Sequence, residues 1–198
     1  MIRLVGMGPG SMKYVTMEAI NRIKGADKIL AFGRIARTAS EIRPDIQVMS
    51  RVEEALGMLE AGKDTVILAS GDPCFYGILD FFQKKGVDIG EVVPGLSSMQ
   101  YMMAKLKKSW HNTALLSFHG READVQSITK GNTAVILADG SHTPRFISAY
   151  LHDRGVKGRI YAGFNLSYED ECIVEKRIGE AIEDISTLAL VVIENEMD

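Results

Sequence analysis

Ser70-Gly71-Asp72-Pro73-Cys74-Phe75-Tyr76-Gly77 decides how this chain is read. It follows Val66-Ile67-Leu68-Ala69, an unbroken apolar run of the kind found in a buried parallel strand. Downstream, Ile78, Leu79 and Phe82 recur at helical spacing and predict a helix over 75–85. A Gly-Asp-Pro turn therefore stands where a strand's carboxyl end meets a helix, the edge at which open α/β sheets bind ligands. Gly71 permits close approach to the backbone, Pro73 holds the turn, and Asp72 offers a carboxylate beside the next helix. A plain helix N-cap is the alternative reading of Asp72.

Upstream, Ile2 to Val5 read as a strand that runs into Gly6-Met7-Gly8-Pro9-Gly10. The loop is not a dinucleotide fingerprint, because Ser11 stands where a glycine would follow and Pro9 removes an amide. Nor is it a P-loop, since Gly10-Ser11-Met12 lacks the terminal Lys-Ser/Thr. Thr16 can cap a helix bearing Ala19, Ile20 and Ile23. A strand over 28–32 precedes Arg34 and Arg37, three residues apart at a helix start. A third strand over 46–49 and a helix bearing Val52, Ala55, Leu56 and Leu59 lead back to the Gly-Asp-Pro turn.

A strand over 87–93 then reaches Pro94-Gly95-Leu96-Ser97-Ser98, where the serine hydroxyls can serve a helix cap or a ligand. Met99, Met102, Met103 and Leu106 mark one buried face of that helix. Trp110-His111-Asn112 break the pattern, which divides the chain into an N-terminal α/β domain at 1–111 and a C-terminal one at 112–198. The second series predicts strands at 114–118, 134–138, 159–162, 172–175 and 188–193, and helices ending near 129, bearing Phe146, Ile147, Tyr150 and Leu151, and at 180–185. Two such α/β domains make a cleft between them the expected ligand position.

Composition narrows the function. At 198 residues with 46% hydrophobic and 25% charged residues, the chain has the make-up of a soluble globular protein. A net charge of −3 argues against general nucleic-acid binding. No apolar run approaches the ~20 residues that span a bilayer, and Met1 to Leu4 enter a strand directly, so a cytoplasmic protein without membrane attachment is expected. Cys74 and Cys172 form no Cys-x-x-Cys pair, and the four histidines lack metal-ligand spacing, so no bound metal is expected.

The glycine loop, Ser70-Gly71-Asp72-Pro73, Pro94-Gly95-Leu96-Ser97-Ser98 and a second α/β domain, in this order, resemble the tetrapyrrole (corrin/porphyrin) methylase family over essentially the full length. Within it, Phe75-Tyr76-Gly77, Ser117-Phe118-His119-Gly120-Arg121 and Asn165-Leu166-Ser167-Tyr168-Glu169-Asp170-Glu171 resemble the branch that methylates C5 of cobalt-precorrin-7. Glu169 departs from the proline that relatives usually carry. The resemblance implies a class III methyltransferase fold and S-adenosyl-L-methionine as methyl donor in cobalamin (vitamin B12) biosynthesis. It implies donor contacts from Pro9, Gly71, Asp72, Phe75, Ser97 and Ser98, and from Asp139 in the second domain.

Gly8, Gly10, Arg34, Arg37 and Arg121 would meet the tetrapyrrole substrate, whose carboxylates need cations. His119 and Asp72 are the candidate bases for removing a proton after methyl addition. A homodimer is implied, together with functional pairing with a separate decarboxylating C15-methyltransferase. The rival readings are a methylase for another ring position (uroporphyrinogen or precorrin-2 type), a diphthine-synthase-like enzyme acting on protein, and a non-catalytic binding module.

Overall fold

The computed structural model describes residues 1–117, 128 and 133–196. Two compact units are present, Met1–Ser98 and Met99–Asp198.

The first unit is a five-stranded parallel sheet of β1 (Ile2–Gly6), β2 (Lys28–Phe32), β3 (Gln47–Met49), β4 (Thr65–Ala69) and β5 (Glu91–Val93), in the order β3-β2-β4-β1-β5. Apart from Arg3, Lys28 and Thr65 near their amino ends, its central strands are apolar because both faces are covered. Val5, Ile29, Ala31, Val66 and Leu68 face α1 (Met17–Gly25) and α2 (Gly33–Ala39). The alternating Leu4, Leu30 and Ile67 face α3 (Glu54–Met58) and α4 (Leu79–Lys84), with Ala55 and Phe82. Thr16 caps α1 as expected, its Oγ1 accepting the Ala19 amide at 3.1 Å.

The chain winds outward from β1 through β2 to β3, returns to β4 and crosses to β5. That reversal puts a topological switch beside β1, and the carboxyl ends of the strands at such a switch are where open α/β sheets bind ligands.

The helix expected over 75–85 begins only at Leu79. Residues 73–78 form turns instead, with Phe75 N donating to Asp72 O and Leu79 N to Pro73 O, both at 3.2 Å. Asp72 is accordingly not a helix cap. Its Oδ1 accepts the Cys74 amide at 2.7 Å and closes an Asx turn.

In the second unit, α5 (Ser98–Leu106) buries Met99, Met102 and Met103 as the stripe predicts. A Cβ at Gly163 would stand 2.9 Å from Met102 Sδ, so this glycine seats the helix against the second sheet. That sheet contains β6 (Thr113–Ser117), β7 (Thr133–Leu137), β8 (Gly158–Phe164), β9 (Cys172–Arg177) and β10 (Ala189–Asn195), in the order β6-β7-β10-β8-β9. Only the β6–β7 pair is parallel; the other three are antiparallel. Helix α6 (Pro144–Asp153) packs Ile147 and Leu151 into its core.

Residues 180–185 form no helix. The Glu180 carbonyl accepts Ser148 Oγ at 3.3 Å and the Ile182 carbonyl accepts Arg145 Nε at 3.0 Å, while Ile182 is buried in the core. Tertiary partners take up carbonyls that a helix would use.

Two partly buried acids tie the second unit together. Burial alone would push the Glu171 carboxyl up, but hydrogen bonds from Lys105 and Tyr101 outweigh it and hold the group below its usual range. Glu194 behaves the same way between Lys108 and Tyr161. With the folded pKa depressed, the unfolded chain binds more protons as pH falls, so this stabilisation is present above about pH 4.5 and lost below it. Chemical denaturation at stepwise lower pH should show stability falling from about pH 4.5 downward. Glu171→Gln and Glu194→Gln should each flatten that slope; an unchanged slope in both would assign the acid sensitivity elsewhere.

Candidate functional site

Three loops leave the first sheet at its carboxyl edge, after β1, β4 and β5. They are packed by glycines whose backbones touch. A Cβ on Gly6 would lie 2.5 Å from Gly95 N and 2.7 Å from Gly71 O. On Gly95 it would overlap Gly71 O and stand 2.9 Å from the Gly6 carbonyl carbon. The Gly8 and Gly71 backbones exchange hydrogen bonds of 3.2 and 2.8 Å, an isolated antiparallel bridge between the β1 and β4 loops. Gly8 and Pro9 are buried beneath this junction.

Gly71 has φ +63°, the left-handed region that favours glycine, and its missing Cβ points at Ser97 Cα (3.6 Å) and Ser98 N (3.9 Å). Pro9, Gly71, Asp72, Ser97 and Ser98 thus gather on one edge of the first unit. Ser97 is buried, and Ser98 opens α5.

Phe75 lies just beyond, edge to face with Tyr76 at 5.1 Å. Tyr76 is itself half exposed at φ +49°, and a Cβ on Gly77 would stand 2.8 Å from Asp72 O. The turn is compact because Gly77 has no side chain. Cys74 beside it is exposed, its thiol pushed up by burial and by the Asp72 carboxylate, which disfavours a nucleophilic thiolate.

Gly10 belongs to the same edge through its carbonyl, which accepts Thr38 Oγ1 of α2 at 3.1 Å. Arg34 and Arg37, on that helix, are exposed and take part in no ion pair among the described residues.

In the second unit, the carboxyl ends of β7 and β8 and the amino ends of β9 and β10 share one edge, with Leu137 opposite Leu190, Ala189 opposite Phe164, and Phe164 opposite Cys172. Asp139 sits there, its Oδ1 accepting the amides of Ser141 at 2.8 Å and His142 at 2.6 Å. Burial pushes its carboxyl up, but these bonds and the His142 ring outweigh that and hold it below the usual range, ionised at neutral pH.

The loop at 165–171 occupies the same edge. Asn165 and Ser167 are both at positive φ, 47° and 70°, a conformation unusual for residues with a Cβ. Glu171 Oε2 accepts the Ser167 amide at 2.7 Å, and Asn165 Nδ2 donates to Asp170 at 2.7 Å, so side chains hold the strained backbone.

His119 and Arg121 lie outside the described residues. Among those described, no group of three or more His, Cys, Asp or Glu side chains is arranged to hold a metal ion. No helix among them is long and apolar enough to cross a membrane.

Sequence reasoning does not single out Gly6 and Gly95 as a mutual contact. Their signal is a glycine that ends one strand and a glycine two residues beyond another, the two strands proving to be sheet neighbours. It also passes over His142, whose signal is the Asp-x-x-His spacing that follows β7.

Comparison with known proteins accords with this arrangement. The sequence profile described as tetrapyrrole (corrin/porphyrin) methylases matches residues 1–182. A Methanocaldococcus jannaschii protein named "probable cobalt-precorrin-7 C(5)-methyltransferase" is 32% identical, the match covering 99% of each chain. The cobalt-precorrin-7 C(5)-methyltransferase of Salmonella typhimurium is 30% identical over 87% of this chain and 89% of its own. Among solved structures, the uroporphyrin-III C-methyl transferase of Thermus thermophilus, complexed with S-adenyl homocysteine, superposes with a TM-score of 0.79 at 25% identity, covering 98% of this chain and 96% of that one. The two-sheet α/β architecture is thus the class III methyltransferase fold expected, and the chain belongs to the tetrapyrrole (corrin/porphyrin) methylases.

Proposed function

We propose that this protein is an S-adenosyl-L-methionine-dependent C-methyltransferase that methylates C5 of cobalt-precorrin-7 in cobalamin biosynthesis, in the cytoplasm. The observation that carries the donor site is the meeting of three strand-end loops at Gly6, Gly71 and Gly95. It brings Pro9, the Asp72 turn, Phe75, Ser97 and Ser98 to one sheet edge, where backbone can approach a ligand closely. Similarity along essentially the whole of a relative named for cobalt-precorrin-7 supports the choice of substrate.

These residues fit the donor. Hydroxyls and backbone amides suit its polar groups, and an ionised Asp139 suits a ligand's hydroxyls or ammonium. The sulfonium leaves as a neutral thioether, so the protein supplies alignment and exclusion of water. The substrate's meso carbon is the nucleophile. A C–C bond forms to the methyl group as the C–S bond breaks with its electron pair on sulfur, and the carbon then loses its proton to a base. Asp72 and His119 are the proposed acceptors of that proton. Arg34, Arg37 and Arg121, with Gly8 and Gly10, would hold the substrate's rim, the guanidiniums by carboxylate pairing. The assembly we infer is a homodimer with no protein-bound metal, working in sequence with a separate decarboxylating C15-methyltransferase.

The Ser97→Ala/Ser98→Ala double variant tests the donor site. Titration calorimetry with S-adenosylhomocysteine should show binding weakened by about 1–3 kcal/mol, the usual penalty for leaving a desolvated polar group without its partner. A lower unfolding midpoint with unchanged affinity would make the serines structural and remove them from the donor site.

A further inference from the structure

His142 has no part in the roles set out above, yet its ring is engaged with Asp139. The imidazole Nδ1 lies 3.0 Å from Asp139 Oδ1 and 3.2 Å from Oδ2. The amides of Ser141 and His142 both bind Oδ1, and the ring adds a contact to Oδ2, so that both carboxylate oxygens are held. A carboxylate accepts, so the facing Nδ1 carries the hydrogen.

The ring is itself supported. Phe146, the third residue of α6, meets it edge to face, with centroids 5.3 Å apart and planes at 76°. Phe146 also stacks on Tyr150 at 5.7 Å, and the Arg154 guanidinium lies 3.5 Å over the Tyr150 ring. Phe146 is 41% exposed, and part of the surface it buries is this contact with the imidazole. That edge contact restrains the plane of the imidazole.

We propose that His142 is a positioning residue. Its Nδ1–H, braced by Phe146, holds the Asp139 carboxylate in the orientation that receives the methyl donor's hydrogen-bond donors. This rests on the reading of Asp139 as a donor ligand. Support of this kind is familiar at metal sites, where an outer partner orients the group that makes the contact.

The test is calorimetry of the full chain with S-adenosylhomocysteine, using variants that separate the two ring nitrogens. His142→Asn puts an amide nitrogen close to where Nδ1 stands and keeps the bond to Asp139. His142→Gln puts its amide nitrogen near Nε2 instead, and His142→Ala removes both. The Ala and Gln variants should bind at least about fivefold more weakly, the effect of one hydrogen bond of ~1 kcal/mol, while Asn stays within about twofold of wild type. Phe146→Ala should move affinity in the same direction by a smaller factor.

Rescue by Gln and not by Asn would assign the function to Nε2 and overturn the positioning role. A lower unfolding midpoint in all three variants with unchanged affinity would make His142 a loop brace and overturn it as well. Asp139→Asn separates the donor contact of Asp139 from the positioning role of His142. Unchanged affinity there removes Asp139 from the donor site. Weakened affinity there, with every His142 variant at wild-type strength, removes the positioning role alone.

Discussion

Gly95→Ala is expected to be the most damaging single-methyl substitution in the first unit. The added Cβ would overlap the Gly71 carbonyl oxygen and crowd the Gly6 carbonyl carbon at 2.9 Å. Neither obstacle is a flexible side chain. Gly6 ends β1, which is hydrogen-bonded to β4 on one side and β5 on the other, and Gly71 is bonded to Gly8 in both directions. Overpacking against backbone that cannot yield costs at the upper end of its usual range, about 3 kcal/mol. Because the three loops are held together at this point, donor binding should be lost along with stability. Denaturant unfolding and calorimetry on the same preparation read both quantities. A variant with wild-type stability and affinity would mean the loops are not packed as described.

Gly71→Val is expected to abolish donor binding at a smaller cost in stability. Here the obstacle is conformational. A Cβ at position 71 would make only ordinary contacts, 3.6 Å to Ser97 Cα and 3.9 Å to Ser98 N, but the backbone sits at φ +63°. A β-branched residue is strained there by about 1–3 kcal/mol. Its methyl groups would also project toward Ser97 and Ser98, the residues proposed to receive the donor. Gly71→Asn isolates the two effects, because Asn tolerates the left-handed region. The Asn variant should recover most of the stability and still bind S-adenosylhomocysteine at least about tenfold more weakly than wild type. Wild-type affinity in a folded Val or Asn variant would leave Gly71 a structural turn and nothing more.

Much of the first unit can be read from local signals. Val66 to Ala69 announces a strand covered on both faces, and Thr16, Ala19 and Ile23 announce a capped helix, because burial and capping leave period and composition in the chain. Periodicity places the helix after the Gly-Asp-Pro turn too early, since Phe75 extends the apolar spacing of Ile78, Leu79 and Phe82. What delays it is the left-handed Tyr76 and the capture of the Pro73 carbonyl by Leu79 N, and periodicity carries no sign of either. Segment 180–185 departs from its helical spacing for a different reason, because its carbonyls are taken by Arg145 and Ser148, more than thirty residues away. The candidate site divides in the same way. Glycine, proline and serine at strand ends are visible in sequence, whereas the meeting of Gly6 with Gly95 depends on β1 and β5 being neighbours. The bond between His142 and Asp139 depends on the turn of the loop that joins them.

Methyl transfer to a corrin precursor can be followed by incubating the protein with S-adenosyl-L-methionine and cobalt-precorrin-7 and analysing the tetrapyrrole by mass spectrometry. The product should be heavier by one CH2 unit, a methyl gained and a hydrogen lost, with the new carbon at C5 by NMR and one S-adenosylhomocysteine released per product. Tight binding of S-adenosylhomocysteine with no methyl transfer to cobalt-precorrin-7 or any other tetrapyrrole offered would contradict the proposed function and leave a binding module on a methyltransferase fold.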